Sequence, residues 1–176
     1  MNEYSDHDLG AAWDVQDRDP GVDVADSLGP PVSGEAVDNA DRYVVLQRKS
    51  QLFPAVVAAA YRLRCLPVWR GRDAVDPFPE SETVEEAVLQ LAFFCDRQLN
   101  ATLDRVLAAV HDRVETVRQI HAGSRPGFGG RVDEKFRADD EAGRRRLDHA
   151  ITVFVDAARA DLRIRGAWVP LRPAKP

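Results

Sequence analysis

The chain has 176 residues, of which 44% are hydrophobic and 30% charged, so its length and composition suit one globular domain and exclude a fibrous or wholly disordered protein. Its net charge of −5 is unevenly placed, because residues 1–40 contain ten Asp and Glu residues and one Arg, whereas the rest contains 19 acidic and 23 basic residues. The longest apolar run, 53–61, is far shorter than the roughly 20 residues of a membrane-spanning helix, and we expect a soluble, cytoplasmic protein with no membrane partner.

Residues 1–40 are predicted to form a disordered acidic arm. They combine high negative charge with Pro20, Pro30 and Pro31 and contain few residues that could enter a core. Trp13 is the exception, because it lies among small and apolar neighbours in an otherwise polar segment. We predict that Trp13 is a binding contact that orders when it meets a partner.

The helical bundle domain is expected over 41–166, followed by a C-terminal tail over 167–176. Residues 41–65 predict one helix kinked at Pro54, or two short helices with Ser50 capping the second. The proline-rich segment 67–81 is predicted to be a loop. From 82 to 122 one helix is predicted, capped by Ser81, which is either straight or bent near Asn100. Its apolar face is formed by Val84, Val88, Leu91, Cys95, Leu99, Leu103, Val106, Val110, Val114, Val117 and His121.

The glycine-rich segment 123–131 ends this helix, and a last helix is predicted over 133–165, weakened at Gly143. The predicted fold is therefore all-α: a long antiparallel hairpin of 82–122 with 133–165, packed with the kinked N-terminal helix as a three- to four-helix bundle. A helix of 82–122 would be about 60 Å long at 1.5 Å per residue and would extend past its partners. Exposed apolar residues on the excess length would favour a homo-oligomer.

Two spans pair an arginine with a histidine: "RRRLDH" with Arg144 and His149, and "RVLAAVH" with Arg105 and His111. This spacing resembles that of the HEPN ribonucleases, small helical bundles with an Arg and a His four to six residues apart. In that family an Asn, Asp or His usually follows the Arg, whereas Arg145 and Val106 follow it here. The resemblance implies His as general base and Arg as the group that stabilises the phosphorane charge. A hairpin folded about Gly127 would place Arg105 beside His149, and His111 beside Arg144 or Gly143.

A second candidate is the basic segment formed by Arg144, Arg145 and Arg146, which could hold the phosphates of a nucleic acid. Asp140 and Glu141 lie one turn before Arg144 and Arg145, so the alternative is a solvated face of neutralising ion pairs. The chain has 21 Arg and three Lys, which we attribute to a GC-rich bacterial or phage genome rather than to selection for nucleic acid.

Two aromatic residues in predicted loops are further binding candidates. "WRG" places Trp69 in a turn between helices, which is similar to the WxG motif of the small secreted helical-hairpin proteins of type VII systems. Phe128 lies in the glycine-rich turn and is predicted to be an exposed contact.

No cofactor, metal site or catalytic set is predicted. The pattern favours a non-enzymatic helical protein-interaction module, an adaptor, regulator or assembly subunit whose partner is another protein. The HEPN-like ribonuclease and the nucleic-acid-binding protein are the alternatives.

Overall fold

The computed structural model describes the backbone of residues 34–166 and the side chains of residues 41–166. The predicted contact Trp13, most of the predicted acidic arm and the tail 167–176 lie outside the described residues. Within the described range the fold is all-α, as predicted, with helices α1 (Gly34–Cys65), α2 (Phe78–Ala92), α3 (Arg97–Gly123) and α4 (Glu134–Asp161). None of these four helices combines the length and the apolar character needed to cross a membrane.

Helix α1 continues through Pro54 without interruption, which selects the single helix from the two predicted arrangements. The Pro54 side chain is exposed, so the backbone donor that proline lacks is missing on the solvent side. Ser50 does not cap a second helix, contrary to the prediction. Its hydroxyl donates instead to the Gln47 carbonyl at 2.8 Å within the helix.

The predicted single helix 82–122 is wrong, because the chain breaks at residues 93–96 between α2 and α3. The Asp96 carboxylate caps α3 by accepting from the Leu99 backbone N–H at 2.8 Å. The apolar spacing conceals this break, since α2 and α3 bury their faces in one core. The start is also earlier than predicted: α2 begins at Phe78, and Ser81 is a buried residue inside the helix whose hydroxyl donates to Glu85.

The loop predicted over 67–81 contains a short antiparallel ribbon, β1 (Trp69–Arg70) paired with β2 (Asp73–Ala74). Gly71 turns the ribbon with a φ of +66°. Gly130, in the 3-10 turn Phe128–Gly130 between α3 and α4, lies against this ribbon. A Cβ on Gly130 would lie 3.1 Å from the Gly71 nitrogen and 3.2 Å from the Trp69 carbonyl oxygen. The two loops at this end of the bundle thus meet backbone to backbone.

Helices α3 and α4 form the antiparallel hairpin, and α1 and α2 pack against them around one main core. Asp133 caps α4, which ends at Asp161 rather than at the predicted 165. The largest side chains of the core come from all four helices: Leu63, Leu91, Leu103, Leu147, Ile151 and Phe154. A second, smaller cluster lies under the ribbon and contains Val68, Trp69, Val117 and Ile120.

One end of α1 extends beyond the rest of the bundle. Lys49 is the first buried residue among the described side chains of α1, and its Nζ is 2.8 Å from a carboxylate oxygen of Asp161, the last residue of α4. Helix α1 begins at Gly34, earlier than the predicted boundary at 41, so about four turns of the helix precede Lys49. We call residues 34–48 the α1 overhang. Every described side chain in it, from 41 to 48, is exposed.

Candidate functional site

The outer surface between α3 and α4 carries a groove of about 500 Å³, which we call the α3–α4 groove. Small apolar side chains form its floor, and charged side chains or histidine form its rim. Its lining residues are Arg105, Ala109, Ala142, Arg145, Arg146, His149, Ala150 and Val153. Because α1 and α2 pack on other faces of α3 and α4, the groove is open to solvent.

The groove brings together one of the two predicted Arg/His pairs across the hairpin. Arg105 and His149 both line it, in agreement with the prediction that they lie side by side. The predicted register is otherwise displaced by about one turn: Gly143 faces Thr116, and Arg146 pairs with Asp112. The displacement follows from the position of the turn, because the chain reverses at Phe128–Gly130 and not at Gly127.

Arg144 does not take part in the groove. Its guanidinium donates to the backbone carbonyls of Arg64, at 2.5 Å, and Leu66, at 3.0 Å, and also to Asp140 at 3.1 Å. These carbonyls lie at the carboxyl end of α1, where the last turn of a helix leaves acceptors without internal partners. Arg144 therefore ties α4 to α1 and does not meet His149.

His111 lies on a different surface. Its Nε2 is 3.0 Å from an Oε1 of Glu85, so it links α3 to α2 at an exposed position. The structure thus separates the four residues of the ribonuclease prediction. Arg105 and His149 share the groove, whereas Arg144 and His111 each bind elsewhere.

The positive charge of the groove is partly neutralised at its rim. Arg145 pairs with Glu141 at 3.4 Å, as predicted, and Arg146 pairs with Asp112 at 2.7 Å. Both pairs are largely exposed, so water and salt weaken them. Arg105 has no hydrogen-bonding partner among the described residues. The groove can therefore offer cationic groups to an anionic ligand. Arg105 is the most available of them, because no described carboxylate competes for its guanidinium.

Between α3 and α4 lies a buried arginine that the sequence did not lead us to predict. The Arg113 side chain is fully buried, and its Nη1 donates to Asp140 at 2.6 Å. Burial lowers the Arg113 pKa from its ordinary value, against the opposite effect of the Asp140 charge. Its Nε and Nη2 have no partner among the described residues. Asp140 thus bridges two arginines, Arg113 from α3 and Arg144 from α4.

The predicted aromatic contacts have different fates. Trp69 is not an exposed binding residue. Its side chain is buried on the inner side of the ribbon, with its ring centroid 4.6 Å from that of His121. His121 also has its Nε2 2.8 Å from the Val68 carbonyl oxygen, so it joins α3 to the loop before β1. Phe128 is 95% exposed, as predicted, although its role as a contact stays a prediction.

The fold and the groove define an all-α helical bundle with a cationic surface groove between its last two helices. No protein-family model, curated protein or solved structure matches the chain. Among residues 34–166 no group of three or more His, Cys, Asp or Glu side chains is placed to hold a metal ion.

Proposed function

We propose that this protein is a non-enzymatic helical interaction module that acts as an assembly subunit, with the α1 overhang as its docking element. The observation that carries the proposal is the exposure of four consecutive apolar residues on the overhang. Their exposed fractions are 70%, 55%, 36% and 46% for Tyr43, Val44, Val45 and Leu46.

Four consecutive helical residues point in all directions around the helix, because successive side chains are about 100° apart. Residues 43–46 therefore form no single apolar face that could rest on the bundle while a polar face meets water. A helical turn that is apolar all round, as 43–46 is, is typical of a buried one. A few turns of helix whose described side chains are all exposed also gain little stability from packing. A partner that surrounds the overhang would satisfy both requirements.

A second copy of this chain is the partner that the shape supports. The overhang and the end of α4 enclose a notch of about 610 Å³, which Val45, Leu46 and Leu162 line with apolar groups. One molecule thus presents an exposed apolar turn, 43–46, and, directly beside it, a recess that is lined by these three apolar residues and by Asp41, Arg42, Asp161 and Arg163. Two copies related by a two-fold axis can place each overhang in the notch of the other, since a two-fold interface uses the same patch on both chains.

The proposal is tested by sedimentation of the full chain and two variants. Val44→Glu puts a charge into the proposed interface, whereas the control Gln47→Glu adds the same charge to the same exposed helix without removing an apolar group. We expect the native chain and Gln47→Glu to sediment at twice the 19.6 kDa chain mass. Val44→Glu should sediment as a monomer with unchanged helix content, because a charge buried without a partner opposes association. A native chain that stays monomeric at ~100 μM, the range of weak association, would refute the proposal.

The two alternatives from the sequence stay predictions with their own tests. A ribonuclease should lose RNA cleavage on His149→Ala while its Tm is unchanged, but the hydrogen bonds of Arg144 give no support to its predicted role. A nucleic-acid-binding protein should bind with an affinity that falls steeply with salt.

A further inference from the structure

We propose that the α3–α4 groove is the docking site of the chain's own acidic arm, and that the segment "WDVQDRD", Trp13–Asp19, is its occupant. This inference concerns a surface other than the α1 overhang and stands independently of the proposed assembly.

The groove has the chemistry for an aromatic ring flanked by carboxylates. Its floor of Ala109, Ala142, Ala150 and Val153 is apolar and shallow, so it can accept a flat ring. Its rim supplies guanidinium groups, which bind carboxylates and also stack on aromatic faces. The rim acids, Asp112 and Glu141, already occupy two of the arginines through exposed contacts that a new carboxylate can replace.

The acidic arm contains one segment with the complementary chemistry. Trp13 is its only tryptophan, and Asp14, Asp17 and Asp19 follow it closely, with Arg18 the single cation. Residues 1–33 as a whole contain eight acidic residues. The Trp13 ring can cover the alanine floor while the neighbouring carboxylates approach Arg105 and Arg145.

The length of the arm selects this segment over the acids closer to α1. Arg64 pairs with Asp148, so α1 reaches the level of the groove near residue 64. That level lies about 45 Å along α1 from Gly34, at 1.5 Å per residue. An extended chain advances at most about 3.5 Å per residue, so about 13 residues or more are needed to return from Gly34. Asp23 and Asp26 are too close to Gly34 to reach the groove, whereas Trp13–Asp19 can span the distance.

Docking of the arm has a direct functional meaning. The carboxylates of the chain occupy the cationic groove at a high effective concentration, because the arm is tethered to the same molecule. Any external acidic ligand must displace the arm first, and salt weakens both contacts. An external ligand therefore binds at the groove only when its concentration and affinity are high enough to displace the arm.

Photo-crosslinking in the full-length chain tests this inference. A benzophenone amino acid replaces Trp13 in one sample and Leu28, which is too close to Gly34 to reach the groove, in a control. After irradiation of dilute protein, the adducts are mapped by mass spectrometry. Mixing isotopically light and heavy protein before irradiation identifies adducts between molecules.

We expect position 13, and not position 28, to give an adduct within one chain to the α3–α4 groove. Its yield should fall about tenfold between low salt and about 0.5 M NaCl, where screening shortens the range of charge interactions. The double variant Arg105→Gln/Arg145→Gln should give the same loss. The control Arg118→Gln, an exposed arginine elsewhere on α3, should leave the yield unchanged.

Three results would overturn the inference. The first is an adduct spread over the surface or mapped away from the groove, and the second is an adduct formed only between light and heavy chains. The third is a groove that binds a labelled single-stranded oligonucleotide in an Arg105-dependent manner with the same affinity whether or not Asp14, Asp17 and Asp19 are changed to Asn. That result would assign the groove to nucleic acid instead.

Discussion

Asp140→Asn is the substitution that tests the buried charge network most directly. The Asp140 side chain is 13% exposed and contacts both Arg113, at 2.6 Å, and Arg144, at 3.1 Å. The variant keeps the shape of the side chain and removes its charge. Arg144 retains its two carbonyl partners, whereas Arg113 stays buried, keeps at most a neutral amide acceptor and loses the only carboxylate that it contacts among the described side chains. The energetic loss should therefore fall on Arg113.

Breaking a buried ion pair from one side typically costs about 3–5 kcal/mol, because an uncompensated charge is left in the interior. We expect a decrease of that size in the free energy of unfolding, measured by urea denaturation with circular dichroism. Glu141→Gln is the matched control, since its pair with Arg145 is exposed, and it should cost less than about 1 kcal/mol. The double variant Arg113→Met/Asp140→Asn should recover most of the loss by removing the buried charge. A cost for Asp140→Asn no larger than that of Glu141→Gln, or no recovery in the double variant, would refute the reasoning.

Four further predictions concern two helix glycines and the cysteines. Gly143→Ala should stabilise the protein by about 1 kcal/mol in the same urea assay, because the new Cβ meets its nearest neighbour, Thr116 Oγ1, at an ordinary 3.5 Å. Gly123→Ala should instead destabilise it, since the Cβ would lie 2.5 Å from Phe136 Cζ; equal effects of the two substitutions would contradict the packing around these two glycines. Burial raises the pKa of the Cys95 thiol from 9.0 to about 11, so at pH 8 a thiol reagent should modify the exposed Cys65 quickly and Cys95 only slowly. Between pH 9 and 11 the unfolded chain loses the Cys95 proton first, so this thiol should lower stability as the pH rises, and a Cys95→Ala variant should show a smaller loss over that interval.

The all-α fold and the α3–α4 hairpin could be predicted from the sequence, and a single helix α1 was one of its two predicted arrangements, because apolar periodicity reports which faces are buried. The same periodicity could not locate the break at residues 93–96. Helices that pack on a common core on both sides of a break keep their apolar spacing through it. The signal for the break was local: Asp96 is an N-cap residue three positions before Leu99.

The candidate site was predictable only in part for a similar reason. Arg105 and His149 line the same groove because α3 and α4 form a hairpin. An approximate register of the two helices, in error by one turn, was enough to predict this proximity. The role of Arg144 depends on where the carboxyl end of α1 lies, which spacing within α4 does not contain. The burial of Arg113 was not predicted, because a charged residue between Val110 and Val114 is expected on the solvent-exposed side of the helix. Its burial became visible only with the position of Asp140 on the opposite helix.

The contact between Gly130 and Gly71 also limits how the chain can change in length. Both loops at that end touch through their backbones, and a side chain at Gly130 would collide with the ribbon. An insertion in either loop would separate them and uncover Trp69 and Ile120 beneath. The connection at residues 93–96 lies at the opposite end of the bundle, where Asp96 is near Asp161 at the end of α4. Tolerance to inserted residues should therefore differ between the two ends of the bundle. It should be low where the two glycines meet and higher at the end from which α1 projects.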